Sequence, residues 1–133
     1  MSEVENQIGI ESISAVTFVT SGMREAVQFY AALGFALARG GEKSSFSTFR
    51  VGGQYLNLSV ESNSLTKSEG QILWGRIIFY VGDVDDIYSR AVRADLKPSF
   101  SPRDAEWGER YFHILDPDGN ELSFARRISD TTG

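Results

Sequence analysis

The chain has 133 residues, of which 41% are hydrophobic, and its 13 basic and 18 acidic side chains give a net charge of -5. This length and composition are typical of one globular domain, and we expect residues 1–133 to form a single domain. An acidic chain without a basic run disfavours nucleic acid as a partner, and the absence of cysteine excludes disulfides, thiolate metal ligands and a cysteine nucleophile.

No stretch of the sequence predicts a membrane helix or a secretion signal. No apolar run approaches the roughly 20 residues that a membrane-spanning helix needs. The first residues, MSEVENQIGIES, lack a basic segment followed by an apolar one. We therefore expect a cytoplasmic protein that has no membrane partner.

The first half of the chain is predicted to form a strand, a helix and three further strands. SAVTFVT alternates as a strand does, and apolar residues then recur at helical spacing over MREAVQFYAALG, which predicts a helix near residues 22–33. Gly34 follows at the position of a C-terminal glycine stop. The strand-like segments FALAR, FSTFRV and YLNLSV come next, separated by glycine pairs.

The second half repeats this pattern after a polar segment, NSLTKSEGQ. RIIFYV is predicted to be a strand, and DVDDIYSRAVRADL predicts a helix near residues 83–95 with Asp83 as its N-cap. The predicted strands KPSF, RYFHIL and NELSFA follow, and the tryptophan-containing loop SPRDAEWGE lies between the first two. The sequence thus divides into module one at about residues 12–62, a linker at about 63–71 and module two at about 72–127.

The two modules align with each other at a nearly constant offset. Phe18 aligns with Phe79, and Leu58 aligns with Phe124 at a slightly longer offset. Each module has one sheet face for its helix and one bare face, so neither half completes a core alone. We expect an α+β fold in which two βαβββ modules form a curved mixed sheet with an open trough. The alternative is a ferredoxin-like α+β sandwich, which has a similar number of helices but fewer strands.

Two stretches of the sequence carry a family resemblance. VTFVTSGMREAVQFYAALGF contains a strand and a helix with an F-Y…L-G-F ending, and WGERYFHILDPDGNELSF contains a W-G-x-R…D-P-x-G-N hairpin. Both resemble segments of the vicinal-oxygen-chelate superfamily, which includes glyoxalase I, bleomycin-resistance proteins, extradiol dioxygenases and fosfomycin-resistance enzymes. The resemblance runs from about Ala15 to Ala125 and implies the two-module fold, but it implies no particular reaction.

The resemblance also implies four positions for metal ligands. Metal-using members of the superfamily carry His, Gln or Glu at equivalent points of the two modules, and these points correspond here to Ala15, Asn57, Arg76 and Ser123. Alanine cannot bind a metal, arginine places a permanent cation there, and asparagine and serine are weak ligands for divalent transition metals. We therefore predict no metal and no cofactor. The alternative, an alignment shifted by one residue, fits the strand pattern less well.

Strand alternation predicts which side chains face the trough. His113, the only histidine, is expected to face it, while Phe112 and Ile114 face the helices. Trp107, on the preceding loop, would close the mouth of the trough. The predicted ligand-binding set is Arg76, Asn57, Tyr55, Tyr80, Tyr111, Trp107 and Ser123, with His113 as the catalytic residue if the protein is an enzyme.

Acidic residues near the closing hairpin are predicted to lie outside the site. Glu121 is expected to alternate away from the trough. Asp116-Pro117-Asp118-Gly119 predicts a turn without a catalytic role, because proline fixes φ at the second position and glycine accepts the positive φ of a turn.

Two functions remain open from the sequence. The first is a non-catalytic homodimer that binds or sequesters a small organic molecule, as the antibiotic-sequestering members of the family do. The second is a metal-independent lyase or isomerase with His113 as acid–base and Arg76 as anion clamp. The missing ligands disfavour a glyoxalase-type metalloisomerase. A single histidine disfavours an extradiol dioxygenase, whose iron needs two histidines and a carboxylate.

Overall fold

The computed structural model describes residue 9, residues 11–60 and residues 76–128. The predicted linker at 63–71 lies outside the described residues. The elements are β1 (Ala15–Thr20), α1 (Met23–Ala32), β2 (Ala36–Arg39), β3 (Phe46–Val51), β4 (Gln54–Val60), β5 (Arg76–Tyr80), α2 (Val84–Arg93), β6 (Arg103–Asp104), β7 (Glu109–Leu115) and β8 (Glu121–Arg127).

Each module forms a four-stranded mixed sheet with the same topology. The strand orders are β1-β4-β3-β2 and β5-β8-β7-β6. In each sheet the first and last strands of the module are parallel neighbours, and the other pairs are antiparallel. The predicted α+β class with two βαβββ modules is therefore confirmed. Among the described residues, hydrogen bonds divide the predicted curved sheet into two sheets of four.

The second strand of module two lies elsewhere than predicted. KPSF, at 97–100, is not a strand, and β6 consists of Arg103 and Asp104 within the predicted tryptophan-containing loop. Pro98 has no amide hydrogen to donate to a strand ladder. The stretch still touches the sheet, because the Ser99 amide donates to the carbonyl oxygen of His113 at 2.8 Å. The edge strand of module two is consequently very short.

Both helices lie where the apolar spacing predicts them. The Asp83 side chain caps α2 by accepting a hydrogen bond from the Asp86 amide at 3.1 Å. After α1, Gly34 has a φ of 103°, and at the equivalent place after α2, Asp95 has a φ of 65°. A left-handed residue therefore ends each helix. Among the described residues, no helix is long and apolar enough to cross a membrane.

The core lies between the helices and the inner faces of the two sheets. Alternate strand residues supply it, among them the fully buried Leu58 and Phe112. Phe35 joins the modules, because its ring centroid lies 5.1 Å from that of Phe79 and 6.1 Å from that of Phe124. On their outer faces the described strands carry exposed side chains such as Tyr55 and Tyr80.

The predicted turn of the closing hairpin holds the modules together. Gly119 has a φ of 88°, and its amide donates to the Asp116 carbonyl oxygen at 2.9 Å, as expected of a turn. The Asp116 carboxylate is 4% exposed and accepts hydrogen bonds from the Asn120 amide and from the Tyr30 hydroxyl of α1 at 2.7 Å. Asp118 accepts from the Ser21 amide at 3.0 Å. These carboxylates are occupied by structural contacts.

Candidate functional site

The candidate residues lie on the sheet faces turned away from the helices. In β7, Phe112 and Ile114 are buried in the core, whereas Tyr111 and His113 are partly exposed on the opposite face. Two cavities open on these outer faces, one in each module, and no described residue lines both. The structure therefore divides the predicted site between two places.

The module-two cavity contains most of the predicted residues. Its volume is about 410 Å³. Tyr80 lies at its rim, since its hydroxyl donates to the Glu109 carboxylate and its side chain is 58% exposed. The cavity is lined by Arg76, Ile78, Trp107, Glu109, Tyr111, His113 and Ser123.

The module-one cavity contains the other two predicted residues, Tyr55 and Asn57. Its volume is about 390 Å³. Sequence reasoning did not single out Arg39 and Arg50, which also line it. For Arg50 the signal was available, because Arg50 alternates with the buried Phe49 and so faces outward. The lining residues are Ala15, Ala38, Arg39, Thr48, Arg50, Tyr55 and Asn57.

Glu121 lies on the trough face, so the prediction that it alternates away was wrong. It is two residues from Ser123 on β8, and side chains at that spacing point the same way. The strand register pairs it with Arg76, whose Nε donates to Glu121 Oε1 at 3.0 Å. His113 Nδ1 lies 3.4 Å from Glu121 Oε2. The alternation of β8 was the signal that would have identified this residue.

The ion pair with Glu121 limits what Arg76 can do. Both Nε and Nη2 of Arg76 contact the same carboxylate oxygen at 3.0 Å. The Arg76 side chain is 46% exposed, so the rest of the guanidinium faces solvent and the cavity. Because the Glu121 carboxylate already balances the charge of the guanidinium, the free N–H groups of Arg76 suit an uncharged polar oxygen better than a full anion.

His113 is neutral at pH 7. Burial lowers its pKa below 6.5, and the positive charges of Arg76 and Arg103 act in the same direction. Glu121 raises the pKa, but its 3.4 Å contact is long for a hydrogen bond and does not outweigh burial. A neutral imidazole offers one donor and one acceptor nitrogen to the cavity.

An aromatic wall stands beside His113. The Tyr111 ring centroid lies 5.2 Å from that of His113, 5.5 Å from that of Trp107 and 5.5 Å from that of Phe100. Arg103 covers Phe100, with its guanidinium carbon 3.8 Å from the ring centre, a cation–π contact. Trp107 is 66% exposed, although its indole nitrogen donates to Glu109 at 3.1 Å. This wall can accept a flat apolar group.

Ser123 supplies a polar group at the floor of the module-two cavity. It is 4% exposed and lies directly opposite His113 in the strand register. Within residues 11–60 and 76–128, its hydroxyl has no hydrogen-bond partner. Buried polar groups are normally satisfied, so this hydroxyl is suited to bind a ligand atom or a water molecule.

The four positions that the resemblance assigns to metal ligands do not fit a divalent metal. Ala15 and Asn57 line one cavity and Arg76 and Ser123 the other. The Asn57 amide is occupied, because it donates to the Thr17 hydroxyl at 3.1 Å and accepts from the Thr48 hydroxyl at 2.8 Å. In the described part of the chain, no three His, Asp or Glu side chains are placed to hold a metal ion.

Comparison with known proteins agrees with this architecture. The family model of the Glyoxalase/Bleomycin resistance protein/Dioxygenase superfamily matches residues 12–124. No curated protein matches the chain.

Three solved structures illustrate the likeness of fold. TioX from Micromonospora sp. ML1 has a TM-score of 0.68 and 22% identity, and the match covers 89% of this chain and 100% of TioX. A glyoxalase/bleomycin resistance protein/dioxygenase from Nocardioides has a TM-score of 0.71 and 17% identity, covering 96% and 91%. A lactoylglutathione lyase from Agrobacterium tumefaciens has a TM-score of 0.68 and 19% identity, covering 90% and 96%. At these identities the likeness shows the fold alone.

Proposed function

Because the chain belongs to the Glyoxalase/Bleomycin resistance protein/Dioxygenase superfamily, we propose that it binds a small organic molecule in its module-two cavity without a metal ion. The observation that carries this proposal is the make-up of the cavity, an aromatic wall with a few converging polar groups. Small-molecule sites have this composition, and a volume of about 410 Å³ lies within their usual range. The protein holds or sequesters its ligand and does not transform it.

The polar groups of the cavity indicate which functional groups the ligand carries. Neutral His113 can donate one hydrogen bond and accept another, and the Ser123 hydroxyl can do either. The unpaired edge of Arg76 favours a carbonyl or phenolic oxygen, because Glu121 already balances its charge. The ligand is therefore a polar, flat molecule whose apolar face lies against Tyr111 and Trp107.

A metal-independent lyase or isomerase is the second candidate. The observation that favours it is the pKa of His113, which burial lowers so that the imidazole is a free base at pH 7. Glu121, 3.4 Å away, would stabilise the imidazolium formed when His113 takes a proton. One structural neighbour is named a lactoylglutathione lyase, which supports a lyase-type reaction by fold alone.

The protein works as a homodimer in this proposal. Ile78, Tyr80 and Trp107 are 57%, 58% and 66% exposed on the outer face of module two. Exposed apolar side chains grouped on one face are typical of an interaction surface. A second copy would cover this face and enclose the cavity.

A thermal-shift screen tests the proposal. Metabolites and antibiotics are screened against the full chain, with and without added divalent metal. We expect hits whose shift does not depend on metal. Trp107→Ala should abolish most of the shift, and Val92→Ala, a similarly exposed apolar residue on α2, should leave it unchanged. Hits that Trp107→Ala leaves intact, or hits that require metal, would contradict the proposal.

Two further variants separate binding from catalysis. Removing a charge-assisted contact in Arg76→Ala should weaken a hit about tenfold or more. His113→Gln should weaken binding less than this if the protein only binds. If the protein is an enzyme, the same substitution should abolish turnover of the hit, measured by product formation.

A further inference from the structure

The module-one cavity presents two arginines and no carboxylate. Arg39 and Arg50 both line it, together with the uncharged Thr48, Tyr55 and Asn57. All the described residues that line this cavity belong to module one, and none of them lines the module-two cavity. We infer that it is a separate binding site for the carboxylate or phosphate group of a small molecule, in addition to the site of the proposed function.

Strand register places Arg50 on the wall of the cavity. In β3, Phe49 is fully buried, so Thr48 and Arg50 on either side face outward. Across the ladder, Arg50 lies opposite Tyr55 and Thr48 opposite Asn57. The guanidinium and the phenol ring therefore belong to the same face of the sheet, at neighbouring positions.

An irregularity of the edge strand brings Arg39 to the same wall. The register between β2 and β3 shifts after Leu37, so that Arg39 lies opposite Thr48. Such a shift redirects side chains, and both Ala38 and Arg39 line the cavity. Gly40 fixes the arrangement. A Cβ at Gly40 would lie 2.3 Å from the Phe46 carbonyl oxygen, and its φ of 82° favours glycine.

The charges around this cavity leave room for an anion. Arg76, Arg90 and Arg110 each lie within ion-pair distance of a carboxylate. Among the residues that the structure describes, no carboxylate pairs with Arg39 or Arg50. Two cations at one concavity repel each other unless an anion lies between them, and a planar guanidinium matches two oxygens of a carboxylate or phosphate.

The other lining residues indicate what the anion is attached to. The Asn57 amide is already bonded to Thr17 and Thr48, so it contributes little to a ligand. Tyr55 is 45% exposed and offers a flat ring with a hydroxyl. The ligand class is therefore a small organic oxyanion with an apolar portion that lies against Tyr55.

Nitrogen-resolved NMR of the full chain tests this inference. The probes are benzoate, inorganic phosphate and the neutral analogue benzamide, added to ¹⁵N-labelled protein. We expect at least one anion, but not benzamide, to shift the side-chain Nε signals of Arg39 and Arg50. Arg39→Gln and Arg50→Gln should each weaken anion binding about tenfold. Arg24→Gln removes an exposed arginine outside the cavity and should have no effect.

Three results would overturn the inference. The first is that neither anion shifts the two arginine signals. The second is that benzamide shifts them as much as benzoate does. The third is that Arg24→Gln weakens anion binding as much as the cavity variants do. Trp107→Ala separates this inference from the proposed function. If it removes benzoate binding while the arginine variants do not, the anion binds in module two, and only the inference on module one fails.

Discussion

Glu121 shows how a single register position sets the chemistry of its neighbours. In module two the parallel register places it opposite Arg76, and in module one the equivalent pair is Ala15 and Tyr55. The same backbone arrangement thus carries an ion pair in one module and two uncharged residues in the other. His113 lies next to the charged pair, and its pKa depends on both members.

The pKa of His113 should respond in opposite directions to the loss of these neighbours. Glu121→Gln removes a negative charge that raises it, so the pKa should fall further below 6.5. Arg76→Gln removes a positive charge that lowers it, so the pKa should rise. NMR titration of the single histidine measures both. Shifts in the same direction would show that the Glu121 and Arg76 charges do not act on the imidazole as described.

The free energy of unfolding should depend on pH through the titration of His113. Because the folded pKa of His113 lies below the unfolded value, the unfolded chain binds the proton more readily. The contribution of His113 to stability is therefore complete above about pH 6.5 and is lost as the pH falls through the folded pKa. In His113→Gln the part of the pH dependence that begins below about pH 6.5 should disappear from denaturation curves. A curve unchanged by this substitution would contradict the burial effect.

The prediction that the protein binds no metal depends on four individual residues. Ala15, Asn57, Arg76 and Ser123 offer no set of strong donors, so protein purified without chelators should contain no stoichiometric zinc, nickel or iron. Elemental analysis measures this. One such metal per chain, lost in Asn57→Ala, would contradict the prediction.

At the scale of elements, helix α1 and the closing hairpin depend on each other. Tyr30 is completely buried and donates to Asp116 in the β7–β8 turn at 2.7 Å. Burial, and then the nearby Asp116 charge, raise the Tyr30 pKa well above 10, so the hydroxyl keeps its proton and stays a donor. The contact joins the helix of module one to the turn of module two.

Tyr30→Phe should therefore destabilise the protein without changing its packing volume much. Loss of one donor leaves a buried carboxylate less satisfied, at a cost of about 1–3 kcal/mol in the free energy of unfolding. Tyr88→Phe is the matched control. Tyr88 lies on α2, its ring packs against Phe112 of β7, and no described residue forms a hydrogen bond with its hydroxyl. Its change should stay within about 0.5 kcal/mol. Equal losses in urea denaturation would show that the Asp116 contact is not the reason.

At the scale of the whole molecule, the two described helices share one core, and the described strands expose side chains on their outer faces. Phe35 and Tyr30 connect the modules through the core side. The two cavities consequently open on separate outer faces, each with exposed aromatic side chains. In the proposed homodimer, a second copy would cover the outer face of module two.

Light scattering should give the mass of a dimer at micromolar concentration. Ile78→Arg places a charge in the exposed apolar group of module two and should shift the mass towards the monomer. Val92→Arg makes the same change on α2, outside both cavities, and should leave the mass unchanged. A monomer mass for the unmodified chain would contradict the homodimer.

The sequence by itself determined the two βαβββ modules, both helices and the inward or outward direction of most strand residues. These features follow from local periods, about 3.6 residues in a helix and two in a strand, which are properties of neighbouring residues. His113 lies on the predicted face for this reason. The same period of two places Glu121 on the face of β8 that carries Ser123.

Only the tertiary structure decided how the predicted site residues are grouped. Tyr55 and Asn57 were expected in one trough with His113, but they line a different cavity because core contacts such as Phe35 with Phe79 set the relation between modules. The pairing of Arg76 with Glu121 depends on the register of two strands far apart in sequence. The length of β6 depends on which residues pair with β7, and the local alternation of residues does not specify that pairing.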